Sequence, residues 1–408
     1  MSAIVKLADN SSVYEVAKVS PLSIATQLSK KFDNHIFLKR EDDQIIHSFK
    51  LRGAYQKMSS MSDAQKTKGV IASSAGNHAQ GVALGASKLN IKAIIVMPTS
   101  TPQIKVRAVQ ELGAEVILFG DVYDDAFAHA KKLVSEKDLC FISPYDDFEV
   151  IAGQATVAKE ILAQLDQIDY VFSPVGGGGL AAGVSSVFKQ LSPNTKIIGV
   201  EPEGAPSMSV ALQNGCPTKL SEINKFIDGA SVQKVGELNY EICQENLDQM
   251  TTVHEGKVCQ SILNLYNRDA VVVEPAGAMS VAVLDQFREE IKGKNVVCVI
   301  SGSNNDITRT EEIKERALLF SKLKHYFIVR FPQRSGALKE FVNNVLGEND
   351  DITFFEYVKK NNREYTSAIV GIELKFSKDL DHLIKKMKEN SFFGEYLNDK
   401  PETLRFLI

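Results

Sequence analysis

From Ile36 to Ile300, short apolar runs alternate with longer stretches in which apolar residues recur every three or four positions. The runs Ile36–Lys39, Val70–Ser73, Ala93–Met97, Val116–Phe119, Tyr170–Val175, Lys196–Glu201, Ala270–Val273 and Val296–Ile300 predict strands. Most are continuous and rich in Val and Ile rather than strictly alternating, which is the pattern of strands covered on both faces. With helical stretches between them, they predict an α/β architecture built on a largely parallel sheet. The pattern changes near residue 308. Thr308–Leu323 reads as a charged helix. Strand Tyr326–Phe331, helix Gly336–Leu346, strands Ile352–Lys359 and Ser367–Leu374, helix Asp379–Met387 and strand Thr403–Ile408 are expected to follow. That βαββαβ order is the ferredoxin-like plan. The expected domain boundary lies at 320–325, dividing the chain into 1–322 and 323–408.

Composition narrows the function. The 408 residues suggest two or three domains. Lys and Arg number 47 against 51 Asp and Glu, a net charge of −4, so there is no basic footprint for nucleic acid. A chain 44% hydrophobic and 24% charged has the balance of a globular protein. No apolar run approaches the ~18 residues of a membrane span, and residues 1–12 carry no apolar signal core. The five cysteines are scattered and form no CxxC pair. Neither a disulfide framework nor a zinc site is expected, and a reducing cytoplasm is the natural compartment. The cysteines are expected to be buried apolar residues.

Three expected strand-to-helix turns carry chemistry. In the first, Gly176, Gly177, Gly178, Gly179 and Leu180 follow a strand and open a helix with an apolar face of Leu180, Val184, Val187 and Leu191. Backbone N–H groups converge there and the helix N-terminus adds positive potential, making a phosphate cradle. No Gly-Lys-Ser/Thr follows, so this is not a Walker A loop. Gly176, Gly178 and Ala181 also satisfy GxGxxA, with Glu201 near the ~20-residue spacing of a ribose ligand, so a dinucleotide site stays open on this motif alone. The second turn, Ser73, Ser74, Ala75, Gly76, Asn77 and His78, offers N–H groups and hydroxyls to a carboxylate or other anion. Its serines suit N-capping equally well, and His78 suits a helix face. In the third, Lys50 of Ser48-Phe49-Lys50-Leu51-Arg52-Gly53 falls in the first helical turn. A cation is disfavoured there, which pushes the amine toward its neutral, nucleophilic form. Arg52 is expected to be structural or at the surface. Ser301 follows the last strand of the α/β region in Ser301-Gly302-Ser303-Asn304, at a strand end of the kind where α/β proteins bind ligands.

Together, KREDDQIIHSFKLRGAY (39–55), SSAGNHAQGVA (73–83), SPVGGGGLAAG (173–183), EPAGA (274–278) and SGSN (301–304) resemble the fold type II (tryptophan synthase β-like) pyridoxal-phosphate enzymes. Among these the match is nearest to the biosynthetic threonine dehydratases, and it runs from about Ser20 to the end of the chain. The C-terminal βαββαβ unit resembles one copy of their ACT-like regulatory domain. The resemblance implies that Lys50 holds pyridoxal 5′-phosphate as a Schiff base and serves as the Cα base. Asn77 would contact the cofactor 3′-oxygen, Gly176–Leu180 its phosphate, and Ser301 its pyridine nitrogen. The turn from Ser73 to His78 would hold the substrate carboxylate. The implied reaction turns L-threonine into 2-oxobutanoate and ammonia, the first committed step toward isoleucine. Isoleucine is the implied inhibitor, a homotetramer the implied assembly, and no metal is implied. Serine racemases of the same fold carry Ser where this chain has Ala75, and Asp in their metal site where it has Ser207. From other classes, an NAD-dependent oxidoreductase and a non-catalytic amino-acid sensor remain alternatives.

Overall fold

The computed structural model describes residues 3–358 and 364–405. They form two compact units, Met1–Ile307 and Thr308–Ile408, so the charged helix Thr310–Phe320 goes with the second. The first unit contains β1 (Leu22–Ile24), β2 (His35–Arg40), β3 (Val70–Ser73), β4 (Ala93–Met97), β5 (Glu115–Leu118), β6 (Cys140–Phe141), β7 (Tyr170–Pro174), β8 (Lys196–Pro202), β9 (Gln249–Val253) and β10 (Asn295–Ile300). The second contains β11 (Lys324–Pro332), β12 (Asp351–Tyr357), β13 (Tyr365–Glu373) and β14 (Phe393–Tyr396).

Two sheets organise the first unit. The larger has the order β1-β2-β10-β7-β8-β9 and is parallel except for the β1–β2 pair. The smaller, β5-β4-β3-β6, is wholly parallel. Strand β10 lies between β2 and β7, pairing Cys298 with Leu38 on one side and with Phe172 on the other. Because these three strands point the same way, the segments leaving them emerge at one edge of the sheet, which is where open α/β sheets bind ligands. Val157, Ile161, Val184 and Phe188 from two helices pack with Val171 and Val297 of the sheet to form the main core. The second core, around β3 and β4, includes Val70, Ala72, Ile95 and Met97, packed with Val82 and Ala83 of helix Asn77–Lys88.

In the second unit, the antiparallel order β12-β13-β11-β14 and helices Ala337–Asn344 and Leu380–Glu389 make the expected ferredoxin-like fold. Phe327, Val329, Phe341, Val370, Leu383 and Met387 fill its core.

Three expectations are corrected. Ala270–Val273 is not a strand: Ala270 caps the preceding helix at φ 52°, and the following valines form a connection without ladder partners among the described residues. The sheet edge is taken instead by the polar β9, which pairs with β8. The last strand is β14 rather than Thr403–Ile408. Thr403 to Arg405 belong to helix Pro401–Arg405, and residues 406–408, like Lys359 of another expected strand, lie outside the described residues. The cysteines are also not uniformly buried. Cys243, Cys259 and Cys298 are, whereas Cys216 is exposed and Cys140 intermediate. No helix among the described residues is long and apolar enough to cross a membrane.

Candidate active site

The three segments leaving β2, β7 and β10 converge on a cleft of about 440 Å³ in the first unit, lined by Phe49, Lys50, Gly176–Leu180 and Ser301 among others. The turn before Lys50 is stitched to the turn after β10. Ser48 and Gly302 form an antiparallel bridge, Phe49 N–H donates to the Ser301 carbonyl (3.2 Å) and Ser303 N–H to that of His47 (2.9 Å). Residues more than 250 apart in sequence are therefore held in one backbone frame.

Lys50 is the first residue of helix Lys50–Ser59. Its Nζ donates to the Pro144 carbonyl at 2.8 Å, and burial lowers its pKa to about 8 against the opposing pull of Glu274. Loss of hydration disfavours the ammonium and so favours the neutral, nucleophilic form of the amine.

The glycine loop caps helix Gly179–Leu191. Gly178 has φ 98°, a left-handed conformation, and a Cβ there would lie 2.8 Å from Asn239 Cβ, so only glycine fits. Asn239 Nδ2 clamps the loop by donating to the carbonyls of Gly177 (2.8 Å) and Tyr145 (3.2 Å). Among the described residues, none of the five N–H groups from Gly176 to Leu180 has a protein acceptor. Unpaired N–H groups at a helix N-terminus suit a phosphate. Ser301 is buried and its hydroxyl, at the cleft, bonds no described residue.

The turn from Ser73 to His78 does not line this cleft but packs beside it. A Cβ on Gly81, in the helix it opens, would sit 3.0 Å from the Lys50 carbonyl oxygen. Ser74 Oγ accepts from Gly76 N–H (3.2 Å), the Ser73 hydroxyl is buried without a partner among the described residues, Ala75 packs into the second core, and the space beside Gly76 is open for 4 Å. His78 is turned away from that space. Its Nε2 bonds the Ile142 carbonyl at 3.0 Å, and burial followed by Lys50 pulls its pKa down to about 3, so it is a neutral anchor. Asn77 donates to both Glu274 oxygens (2.8 and 3.1 Å) and accepts from Asn304 Nδ2 (2.7 Å).

Glu274 is a participant to which sequence reasoning gave no role. It precedes helix Pro275–Ala282, its N–H bonds the Gly302 carbonyl (3.1 Å), and burial raises its carboxyl to about pKa 7. Its place in the EPAGA motif was the available signal. Tyr145 and Asn239, which brace the glycine loop, left no signal, because their roles depend on contacts distant in sequence. Glu201 is not directed at a nucleotide ribose. Its carboxylate accepts from Ser209 N–H (2.9 Å), Ser209 Oγ (2.7 Å) and Met208 N–H, all at the start of helix Ser207–Asn214. The dinucleotide reading loses its acidic ligand.

A family model described as pyridoxal-phosphate dependent enzyme matches residues 14–302, and one described as the C-terminal regulatory domain of threonine dehydratase matches 315–407. The biosynthetic L-threonine dehydratase of Halalkalibacterium halodurans is 48% identical over 403 residues, covering 98% of this chain and 97% of that protein. The chain belongs to the biosynthetic threonine dehydratase family. Another member of this family, from Staphylococcus saprophyticus, is 49% identical over 97% of this chain and 95% of its own length. Among solved structures, the processed form of threonine deaminase isoform 2 from Solanum lycopersicum superposes with a TM-score of 0.76 at 46% identity, covering 77% of this chain and 92% of that one. The serine racemase of Dictyostelium discoideum is more distant, with a TM-score of 0.70 at 29% identity over 74% of this chain and 98% of its own.

The cofactor of the threonine dehydratase family is pyridoxal phosphate, and the cleft suits it. Five unpaired N–H groups can take its phosphate, the depressed amine of Lys50 its aldehyde carbon, and the free hydroxyl of Ser301 a ring position.

Proposed function

We propose that the chain is a pyridoxal-phosphate dependent L-threonine ammonia-lyase that produces 2-oxobutanoate and ammonia. The observation that carries this reading is the meeting of Lys50, the Gly176–Leu180 loop and Ser301 on one cleft of a threonine dehydratase family chain. When bound, the cofactor supplies an electron sink for the substrate Cα. The loop N–H groups hold its phosphate and so fix the ring. Lys50 would hold its aldehyde carbon, and its amine, when free, would take the substrate Cα proton as general base. The Pro144 carbonyl, 2.8 Å from Nζ, orients that amine. Ser301 would face the ring nitrogen as a neutral partner, which would favour β-elimination over transamination. Asn77, held beside the cleft by Glu274 and Asn304, would reach the ring 3′-oxygen. The Ser73–Gly76 backbone receives the substrate carboxylate, with His78 as its fixed anchor. The net change would take water from Cα and Cβ of threonine and return one water as the nitrogen leaves as ammonia, giving 2-oxobutanoate. Ala75 offers no proton for the opposite face of Cα, which disfavours racemisation.

In this reading the enzyme is a cytoplasmic homotetramer. The polar turn Phe331–Gly336 of its second unit helps bind isoleucine as an inhibitor. Serine, one methyl smaller than threonine, is a poorer substrate, because such a difference is worth only ~1–3 kcal/mol in a pocket. The test combines a spectrum with an assay. Purified protein supplied with pyridoxal phosphate should show a visible band that borohydride abolishes, and should release keto acid from threonine. Absence of the band, or of keto acid when the band is present, would overturn the proposal.

A further inference from the structure

Helix Phe148–Gln164 is shared between the two helices that open onto the cleft. A Cβ on Gly153 would lie 2.6 Å from the Arg52 carbonyl oxygen and 2.7 Å from Gly53 Cα. One on Gly183 would lie 2.7 Å from the Ile151 carbonyl oxygen and 2.8 Å from Ala155 N. The Lys50 helix and the helix behind the glycine loop therefore both press onto the same turn, and Gln154 projects from it. A Cβ on Gly53 would collide with Gln154 Nε2, so a mid-helix glycine makes room for this amide.

Gln154 lines the cleft and is only 1% exposed. Among the described residues its Oε1 is buried without a partner and its Nε2 makes no hydrogen bond. Buried polar side chains are nearly always satisfied, so an unpaired amide beside a ligand cleft calls for an explanation. Only Lys50, Tyr145, Gln154 and Ser301 among the lining residues have side-chain donors. Tyr145 already donates to the Lys234 carbonyl (3.4 Å). In the proposed function Lys50 belongs to the aldehyde carbon and Ser301 to the ring nitrogen, which leaves the phosphate end for Gln154.

We infer that Gln154 is a cofactor-binding residue whose side-chain amide donates to a phosphate oxygen held at the Gly176–Leu180 loop. This rests on the cleft being the pyridoxal-phosphate site. A neutral amide adds a directed donor without charge, leaving the dianion to be balanced by the helix N-terminus.

The test uses full-length protein stripped of cofactor, and compares binding of pyridoxal phosphate with that of pyridoxal, which lacks the phosphate. Gln154→Met should weaken pyridoxal phosphate by about 10-fold or more, the worth of one hydrogen bond to a charged group. It should leave pyridoxal within about twofold, if twofold is taken as the scatter of near-neutral changes. The ³¹P resonance of bound cofactor should move as well. Gln154→Glu, of the same shape but negatively charged, should weaken pyridoxal phosphate further, and it carries the test if the Met variant does not fold. Equal weakening of both ligands would overturn the inference and make Gln154 a spacer between helices, and unchanged binding of both would overturn it too. Failure of the unaltered protein to bind pyridoxal phosphate would refute the proposed function itself.

Discussion

Replacing Arg52 by methionine removes the centre of a buried four-charge network. Arg52, Glu41, Lys39 and Glu160 are all at most 4% exposed. The guanidinium grips Glu41 with two bonds of 2.8 Å, reaches Glu160 at 2.6 Å and Thr156 at 3.0 Å, and Lys39 meets Glu160 at 2.6 Å. In Arg52→Met, Glu160 keeps Lys39. Glu41 keeps only the Ser20 hydroxyl (2.5 Å) and a weak contact from Gln44 (3.5 Å), with no cation bound to it. Stranding a buried charge in this way costs ~3–5 kcal/mol. Chemical denaturation of the cofactor-free protein, followed by circular dichroism, should show that loss. The double variant Arg52→Met with Glu41→Gln removes the stranded charge and should recover about half of it or more, because most of the cost of breaking a buried pair is the uncompensated charge. Arg52→Lys should not restore stability, since one ammonium cannot reproduce the planar fork that spans both carboxylates. A loss below ~1 kcal/mol in the single variant, the level of a surface pair, or no recovery in the double one, would refute this account of the network.

Lys50→Ala should abolish turnover while the fold is kept; keto acid released by the purified variant would contradict the role given to that amine. Gly178→Asp sets a carboxylate and a Cβ where the loop is already left-handed and crowded, so cofactor retained at full stoichiometry after dialysis would mean the phosphate sits elsewhere. The Lys50 amine, with its pKa lowered to about 8, is mostly protonated below that pH and mostly neutral above it. Its labelling in cofactor-free protein should therefore rise through pH 8, well below the range of an ordinary lysine. Glu274→Gln should move that midpoint lower still, since the carboxylate's charge opposes the shift, and a midpoint near 10 would contradict the burial argument. Saturating isoleucine should shift the threonine saturation curve of the full-length enzyme to higher substrate; an unmoved curve would make the second unit an assembly domain.

Much of this was legible in the sequence because the elements that build the cleft are the most strongly patterned. Strands β2, β7 and β10 are apolar runs with two buried faces, and the residues after them are unusual for their type: four glycines, a lysine opening a helix, a Ser-Gly-Ser. Valines at 271–273 carry the same apolar signal without a neighbouring strand to complete a ladder, while β9 (Gln-Met-Thr-Thr-Val) forms an edge whose polarity hides it. In β14, Gly394 weakens the strand signal, yet a side chain at that position would collide with the Ile328 carbonyl. Arg52 illustrates what local pattern omits. A charged residue on an exposed-looking helix is fully buried, because its partners Glu41 and Glu160 come from elements that pattern alone does not bring together.

The position of β10 also has a consequence for how the protein is made. Its two neighbours, β2 and β7, do not touch each other. About 255 residues separate the end of β2 from the start of β10, a delay of roughly 13–50 s at synthesis rates of roughly 5–20 residues per second. Until β10 emerges, β2 and β7 each present an unpaired apolar edge, and Lys50 has no frame to hold it against the glycine loop. Nascent chains therefore pass through a long interval in which exposed strand edges can pair with one another while the cleft that would retain a cofactor is still unformed.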